Sequence, residues 1–171
     1  AEANDARPGA ERRQMSILAC QVRGLAAISA KLDLEEQGEL MSSVLRACGD
    51  VAARFRGVMA RALGDSVVIY FGCKEAQEHD PERAVRAALR MQETLAAMAV
   101  EAETVFRMRI GINTGEALVG SSASGRDYTA MGDVMNTAAR LQTMAERGQI
   151  VVGGAAYSAT SEAIEYRSLG L

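Results

Sequence analysis

Three polar residues lie in local patterns that would let their side chains bind a ligand: Asp65, Asn136 and Arg140. Asp65 stands with Gly64 between two apolar runs, and a two-residue pair of this kind predicts a hairpin turn. A carboxylate at a hairpin tip can be directed toward a ligand, because the turn leaves the backbone little freedom. Gly-Asp pairs are also common as plain turns. Asn136 and Arg140 are spaced so that a helix presents both on one face. An amide and a guanidinium there suit a polyanion, and a solvated polar face is the alternative.

Apolar periodicity predicts the elements that hold these residues. Short apolar or alternating runs predict strands at 15–22, 58–63, 66–71, 105–113, 116–119 and 149–152, with a turn at Thr114-Gly115. Apolar residues at helical spacing predict helices at 34–55, 80–98, 135–144 and 155–160. This order, rich in hairpins, indicates an α+β fold with helices on one face of the sheet.

Composition limits the classes of function. The chain has 171 residues, of which 49% are hydrophobic and 24% charged, as expected for one globular domain. Its net charge of -3, three Phe and lack of Trp argue against a nucleic-acid partner. No apolar run approaches the roughly 20 residues of a membrane span, so we expect no membrane insertion. The three cysteines lie among apolar neighbours, which predicts reduced core thiols of a cytoplasmic domain rather than disulfides or a zinc site.

The ends of the chain predict its organisation. Residues 1–13 are polar and are expected to form a flexible segment, whereas residues 14–171 carry the folded domain. The abrupt end of the sequence indicates a domain excised from a longer multidomain protein.

Seven motifs together carry a resemblance to a known family. In chain order they are Gly64-Asp65, Phe71-Gly72, the run 82–86, the run 109–112 (Arg-Ile-Gly-Ile), Tyr128-Thr129, Gly132-Asp133, and the run 136–140 (Asn-Thr-Ala-Ala-Arg). Each is weak alone, but in this order and spacing they resemble the class III adenylyl/guanylyl cyclase catalytic domain. The resemblance implies a ferredoxin-like βαββαβ core with a mostly antiparallel sheet, the nucleotidyl cyclase fold.

The resemblance also implies an activity and roles for residues. Such domains form head-to-tail dimers and convert ATP or GTP to a 3′,5′-cyclic nucleotide and pyrophosphate, with two divalent ions (Mg²⁺ or Mn²⁺) on two carboxylates. By position, Asp65 is one metal carboxylate and Thr129 a base-selecting residue. Asn136 then orients the ribose and Arg140 stabilises the transition state, while Arg61 stands where the family has a base-selecting lysine.

Two of the departures from the family pattern concern the expected site residues. Gln21 occupies the other metal-ligand position, and an amide cannot neutralise a cation as a carboxylate does. Arg61 keeps the charge of a lysine but presents a planar fork to the base.

These departures predict a cyclase that is weak or inactive alone, as a homodimer or as one half of a heterodimer with another cyclase domain. A non-catalytic nucleotide-sensing or dimerisation module of a larger signalling protein is the alternative. A ferredoxin-like interaction domain, including an RNA binder, fits the composition less well. The residues do not distinguish ATP from GTP.

Overall fold

The centre of the molecule is a mostly antiparallel sheet. The structure, a computed structural model, describes residues 10–23, 32–101, 107–122, 124 and 127–170, except the side chains at 23, 61, 100 and 101. Within these residues the strands are β1 (Glu11–Arg23), β2 (Val58–Leu63), β3 (Ser66–Phe71), β4 (Arg107–Ser121), β5 (Tyr128–Met131) and β6 (Ile150–Val152). They form one six-stranded sheet in the order β2-β3-β1-β4-β5, and β6 pairs with β4 in parallel.

The helices connect these strands in the predicted order. They are α1 (Leu34–Arg54), α2 (Asp80–Glu101), α3 (Asp133–Met144) and α4 (Gly154–Thr160). At the start of α1, the Asp33 carboxylate accepts from the backbone N–H of Glu36, and the Glu36 carboxylate accepts from the backbone N–H of Asp33. This capping box satisfies two backbone donors that would otherwise be free. The order β1-α1-β2-β3-α2-β4 confirms the ferredoxin-like βαββαβ core.

Helices cover both faces of the sheet, which corrects the prediction that they lie on one face. Successive side chains of a strand point to opposite faces. Leu18 of β1 packs in one hydrophobic cluster with Met91 of α2, whereas Ile17 packs in another with Val134 and Ala138 of α3. The apolar residues of α3 show that it is amphipathic, but they do not specify which face of the sheet it covers.

β4 is one continuous strand where the sequence predicts a hairpin. The turn expected at 114–115 and the strand expected at 116–119 lie inside Arg107–Ser121, and the neighbouring strand is β5. The hydroxyls of Ser16 and Thr114 form a buried hydrogen bond of 2.8 Å across β1 and β4. A Cβ on Gly115 would lie 3.3 Å from Val134 of α3, so this glycine serves helix packing rather than a turn. Residues 105 and 106 lie outside the described residues.

β1 begins at Glu11, which corrects the boundary of the flexible segment expected at 1–13. Glu11 pairs with Val119 and Arg13 with Ala117, and the Arg13 guanidinium donates to the backbone carbonyl of Cys73. Because the second half of β4 is a strand, it provides β1 with a hydrogen-bonding partner as far as Glu11. Residues 1–9 lie outside the described residues.

Candidate functional site

Asp65 lies at the tip of the β2–β3 hairpin, as the sequence predicts. Gly64 has a φ of 60°, a left-handed conformation that glycine adopts without strain. The backbone carbonyl of Asp65 accepts from the Val22 N–H at 2.9 Å, which ties the turn to β1. The carboxylate is half-buried, and its Oδ1 accepts from the Ser66 hydroxyl at 3.3 Å. The hairpin therefore holds the carboxylate in place beside β1.

The structure brings Gln21 and Asp65 together. Gln21 pairs with Ser66 across β1 and β3, and its Nε2 lies 3.4 Å from each carboxylate oxygen of Asp65. On the other side, Oε1 of Gln21 accepts from Nε2 of Gln142 at 3.3 Å. The side chains of Gln21, Asp65 and Gln142 are all half-buried. The amide at position 21 thus connects a carboxylate on the hairpin with a second amide on α3.

Gln142 is a member of this site that the sequence does not single out. It reaches the sheet because α3 packs closely on Gly111 of β4. A Cβ on Gly111 would lie 2.3 Å from the backbone carbonyl oxygen of Ala138 and 2.3 Å from the backbone nitrogen of Gln142. Its partner Gln21 is 121 residues away in the chain, so no local spacing relates the two. A glycine in the middle of an apolar strand is the sequence sign of such a close approach.

Arg109 is a second residue to which the sequence assigns no role, although its motif was recognised. It pairs with Gln21 across β1 and β4, so the two side chains leave the sheet on the same face. Its Nε is buried and has no hydrogen-bond partner in the described part of the chain. An unpaired buried donor is costly, and an anionic ligand would satisfy it. In the sequence, Arg109 stands between the apolar residues Met108 and Ile110, an alternation typical of a strand that does not single the arginine out. We call Asp65, Gln21, Gln142 and Arg109 the hairpin cluster.

Asn136 and Arg140 share the exposed side of α3, as their spacing predicts. Val134 and Ala138 of the same helix are buried against the sheet. Within the described residues Arg140 forms no salt bridge. Because successive helix residues are about 100° apart, Gln142 points to a different side of α3 from Arg140. One chain therefore does not bring the Asn136–Arg140 pair to the hairpin cluster.

The two expected base-selecting positions lie on the edge strands. Thr129 is exposed on β5, opposite Gly120 of β4. Arg61 lies on β2 opposite Val68, and its side chain is outside the described part of the structure. The strand order places β2 and β5 at opposite ends of the main strand path.

The cysteines contribute no reactive group to this site. All three are free and buried, as expected for core thiols. Burial raises the pKa of Cys48 to about 11 and the pKa of Cys20 well above its ordinary value. Thiols with raised pKa values stay protonated at neutral pH and are poor nucleophiles and metal ligands. Among the described residues, no group of three or more His, Cys, Asp or Glu could hold a metal ion.

A comparison with known families decides the assignment. The sequence model of the family described as "Adenylate and Guanylate cyclase catalytic domain" matches residues 9–170. The chain belongs to this cyclase family. The resemblance carried by the seven motifs is thereby confirmed.

Curated relatives of this cyclase-family domain include larger bacterial cyclases. Adenylate cyclase 1 of Rhizobium meliloti (strain 1021) is 30% identical over 167 residues, which are 93% of this chain and 25% of the relative. The adenylate cyclase of Streptomyces griseus is 29% identical over 136 residues, which are 77% of this chain and 29% of that relative. The chain therefore spans less than a third of the length of these two relatives.

Solved cyclase structures confirm the nucleotidyl cyclase fold. The adenylyl cyclase CyaB from P. aeruginosa superposes with a TM-score of 0.84 at 27% identity, covering 91% of this chain and 84% of that one. The guanylyl cyclase Cya2 superposes with a TM-score of 0.82 at 26% identity, covering 95% and 89% respectively. In the described part of this cyclase-family domain, no helix combines the length and the apolar character needed to cross a membrane.

The hairpin cluster does not fit the pair of divalent ions that the family resemblance implies. It contains one carboxylate, Asp65, and the amide nitrogen of Gln21 faces both of its oxygens. The carbonyl oxygen of Gln21 is already bonded to Gln142. A single carboxylate leaves most of the charge of two divalent ions uncompensated.

Proposed function

We propose that this chain is a class III nucleotidyl cyclase domain that converts ATP or GTP to a 3′,5′-cyclic nucleotide and pyrophosphate. The ribose 3′ oxygen forms a bond to the α-phosphorus, the bond from that phosphorus to the pyrophosphate oxygen breaks, and the hydroxyl proton passes to water. The observation that carries the proposal is the division of the polar residues between the hairpin cluster and the exposed Asn136–Arg140 pair. Two chains that pair head to tail would complete each site with residues from both.

Each residue acts by positioning or by stabilising charge. Arg140 is an exposed guanidinium without a carboxylate partner in the described residues, and it stabilises the negative charge that develops on the α-phosphate. Asn136 orients the ribose through its amide. Arg109 donates to a phosphate oxygen through its buried nitrogen. Thr129 and Arg61 contact the base.

We infer that the chain turns over nucleotide weakly as a homodimer. With Gln21 in place of a carboxylate, each of the two sites has one negative charge fewer, so a divalent ion would have one carboxylate ligand instead of two. A loss of about 4 kcal/mol of transition-state stabilisation would lower the rate about 10³-fold.

A second function is favoured by the unequal state of the two residue groups. The Asn136–Arg140 pair is complete and exposed, whereas the hairpin cluster has one carboxylate, Asp65, instead of the two that the family resemblance implies. The chain would then lend this pair to the intact carboxylates of a different cyclase domain, or act as a nucleotide-sensing or dimerisation module without turnover. The free, buried thiols support a cytoplasmic location for either function.

An assay for cyclic nucleotide on the purified 171-residue chain, with ATP or GTP and with Mg²⁺ or Mn²⁺, tests the proposal. We expect weak turnover that Arg140→Ala lowers at least about 100-fold, because the exposed guanidinium acts on the transition state. Arg90→Ala is the matched control, since Arg90 is an exposed arginine of α2 that lies 3.8 Å from Glu93.

The outcomes separate the two functions. Turnover that survives Arg140→Ala unchanged would contradict the assigned role of Arg140. Rates typical of ordinary cyclases with Mg²⁺ would contradict the weakness of the site. Nucleotide binding without turnover would favour the sensing or lending role.

A further inference from the structure

Gln21, Asp65 and Gln142 form a line of hydrogen bonds whose direction is fixed by chemistry. An ionised carboxylate can only accept, so the atom of Gln21 that lies 3.4 Å from both Asp65 oxygens must be its NH₂ group. The carbonyl oxygen of Gln21 therefore faces away from Asp65. The atom of Gln142 that contacts this oxygen at 3.3 Å must in turn be an NH₂ group. Turning either amide over would place like groups against each other.

We infer that Gln21 is a hydrogen-bond donor that takes the place of a cation beside Asp65, and that Gln142 is the positioning residue that keeps it in this orientation. The inference rests on the proposed function, because it concerns the substrate of the same site. It specifies a nucleoside triphosphate that enters with one divalent ion at most, and whose phosphate oxygens are bound by protein donors.

The cost of using Gln21 as a cation ligand follows from the same contacts. To offer its carbonyl oxygen to an ion beside Asp65, Gln21 must rotate its amide by half a turn. That rotation breaks the bond from Gln142 and directs an oxygen at the carboxylate. The half-burial of all three side chains limits compensation by water.

Arg109 adds to this effect from the neighbouring strand. It lies opposite Gln21 on the same face of the sheet, and its buried Nε has no partner among the described residues. A guanidinium beside an amide donor repels a second cation and attracts a phosphate oxygen. The donors around Gln21 therefore favour the binding of an anion. Asp65 is the single acidic residue of the hairpin cluster.

A titration of the full chain with Mn²⁺ tests whether Gln21 is a hydrogen-bond donor or a metal ligand. Free Mn²⁺ is measured by its electron paramagnetic resonance signal, and the two roles predict opposite changes in Mn²⁺ affinity when Gln21 is replaced. If Gln21 donates to Asp65, Gln21→Ala frees the carboxylate and raises Mn²⁺ affinity about threefold or more. Gln142→Leu also raises Mn²⁺ affinity, because the amide of Gln21 can then turn its oxygen to the ion. Asp65→Asn abolishes the binding.

Gln92→Leu is the matched control, since it removes a half-buried glutamine that donates to the Met108 carbonyl from α2. A lower or unchanged Mn²⁺ affinity in Gln21→Ala would overturn the inference.

A metal-free measurement protects the test against variants that fold poorly. In the nuclear magnetic resonance spectrum without added metal, the side-chain NH₂ signals of Gln21 should move in Asp65→Asn and in Gln142→Leu, and stay in place in Gln92→Leu. Unchanged chemical shifts of the Gln21 NH₂ group in Asp65→Asn would also overturn the inference.

Calorimetric binding of ATP and GTP keeps this inference separate from the proposed function. If neither nucleotide binds to the native chain, the proposed function fails, whereas the Mn²⁺ titration still reports the role of Gln21. If a nucleotide binds and Gln21→Ala lowers Mn²⁺ affinity, the inference alone fails.

Discussion

At the scale of single residues, position 21 determines how much negative charge stands beside the hairpin. The Nε2 of Gln21 lies 3.4 Å from each oxygen of Asp65, so a carboxylate at position 21 would lie beside the carboxylate of Asp65. We expect Gln21→Asp to raise cyclic-nucleotide formation more than about tenfold, which corresponds to 1.4 kcal/mol of transition-state stabilisation. The measurement is the same assay with Mg²⁺ and with Mn²⁺.

Three further variants show whether the added charge is the cause. Gln21→Asn shortens the side chain as Gln21→Asp does but adds no charge, and it should produce no gain. Gln21→Asp combined with Asp65→Ala should be inactive, because both carboxylates are needed. Arg61→Lys should add to the gain mainly through KM and base preference. A folded, dimeric Gln21→Asp protein without increased turnover would place the defect elsewhere in the domain.

At the scale of elements, the packing of α3 on β4 determines the positions of Gln142, Asn136 and Arg140. A Cβ on Gly111 would lie 2.3 Å from two backbone atoms of α3, and neither can move without the helix. Gly111→Ala should therefore destabilise the fold by about 1–3 kcal/mol. The melting temperature should fall by about 2–4 °C for each kcal/mol in a chain of this size.

Gly38→Ala is the control for this substitution. Gly38 lies inside α1 with nothing within 4 Å of the added Cβ, and alanine favours the helix. We expect an unchanged or higher melting temperature for this variant, measured by circular dichroism. Equal melting temperatures for Gly111→Ala and the native chain would contradict the close packing of α3 on β4.

At the scale of the whole molecule, the proposed site needs two chains. Asp65→Asn and Arg140→Ala should each be inactive when purified separately. Mixing them after unfolding and refolding together should restore activity, because a mixed dimer contains one site with both Asp65 and Arg140 intact. Half of the dimers are mixed and each has one of two sites, so the expected recovery is about a quarter of native activity.

The mixing experiment has a direct control. A mixture of Arg140→Ala with the double variant Asp65→Asn/Arg140→Ala contains no intact site in any pairing and should stay inactive. If the first mixture also stays inactive while size-exclusion chromatography shows dimers, the residues do not act across a dimer, and the lending role with a different cyclase domain is favoured.

Much of the fold was determined by the sequence alone, because it is encoded in local patterns. The Gly64-Asp65 pair between apolar runs specified the hairpin, and the helical spacing of apolar residues from Leu34 onward specified α1. The order of motifs specified the cyclase family, which the family comparison confirmed. The turn and helix signals each lie within a few residues or one helix, where turn geometry and side-chain period act directly, whereas the motif order extends from residue 64 to residue 140.

Tertiary structure alone decided what surrounds Gln21. The continuous β4 depends on cross-strand pairing with a longer β1, which a glycine at position 115 does not reveal. The contact between Gln21 and Gln142 spans 121 residues and exists because Gly111 lets the backbone of α3 approach the sheet. The neighbours of a side chain across a sheet and under a helix depend on register and packing, and these are set by the free energy of the whole core rather than by local spacing.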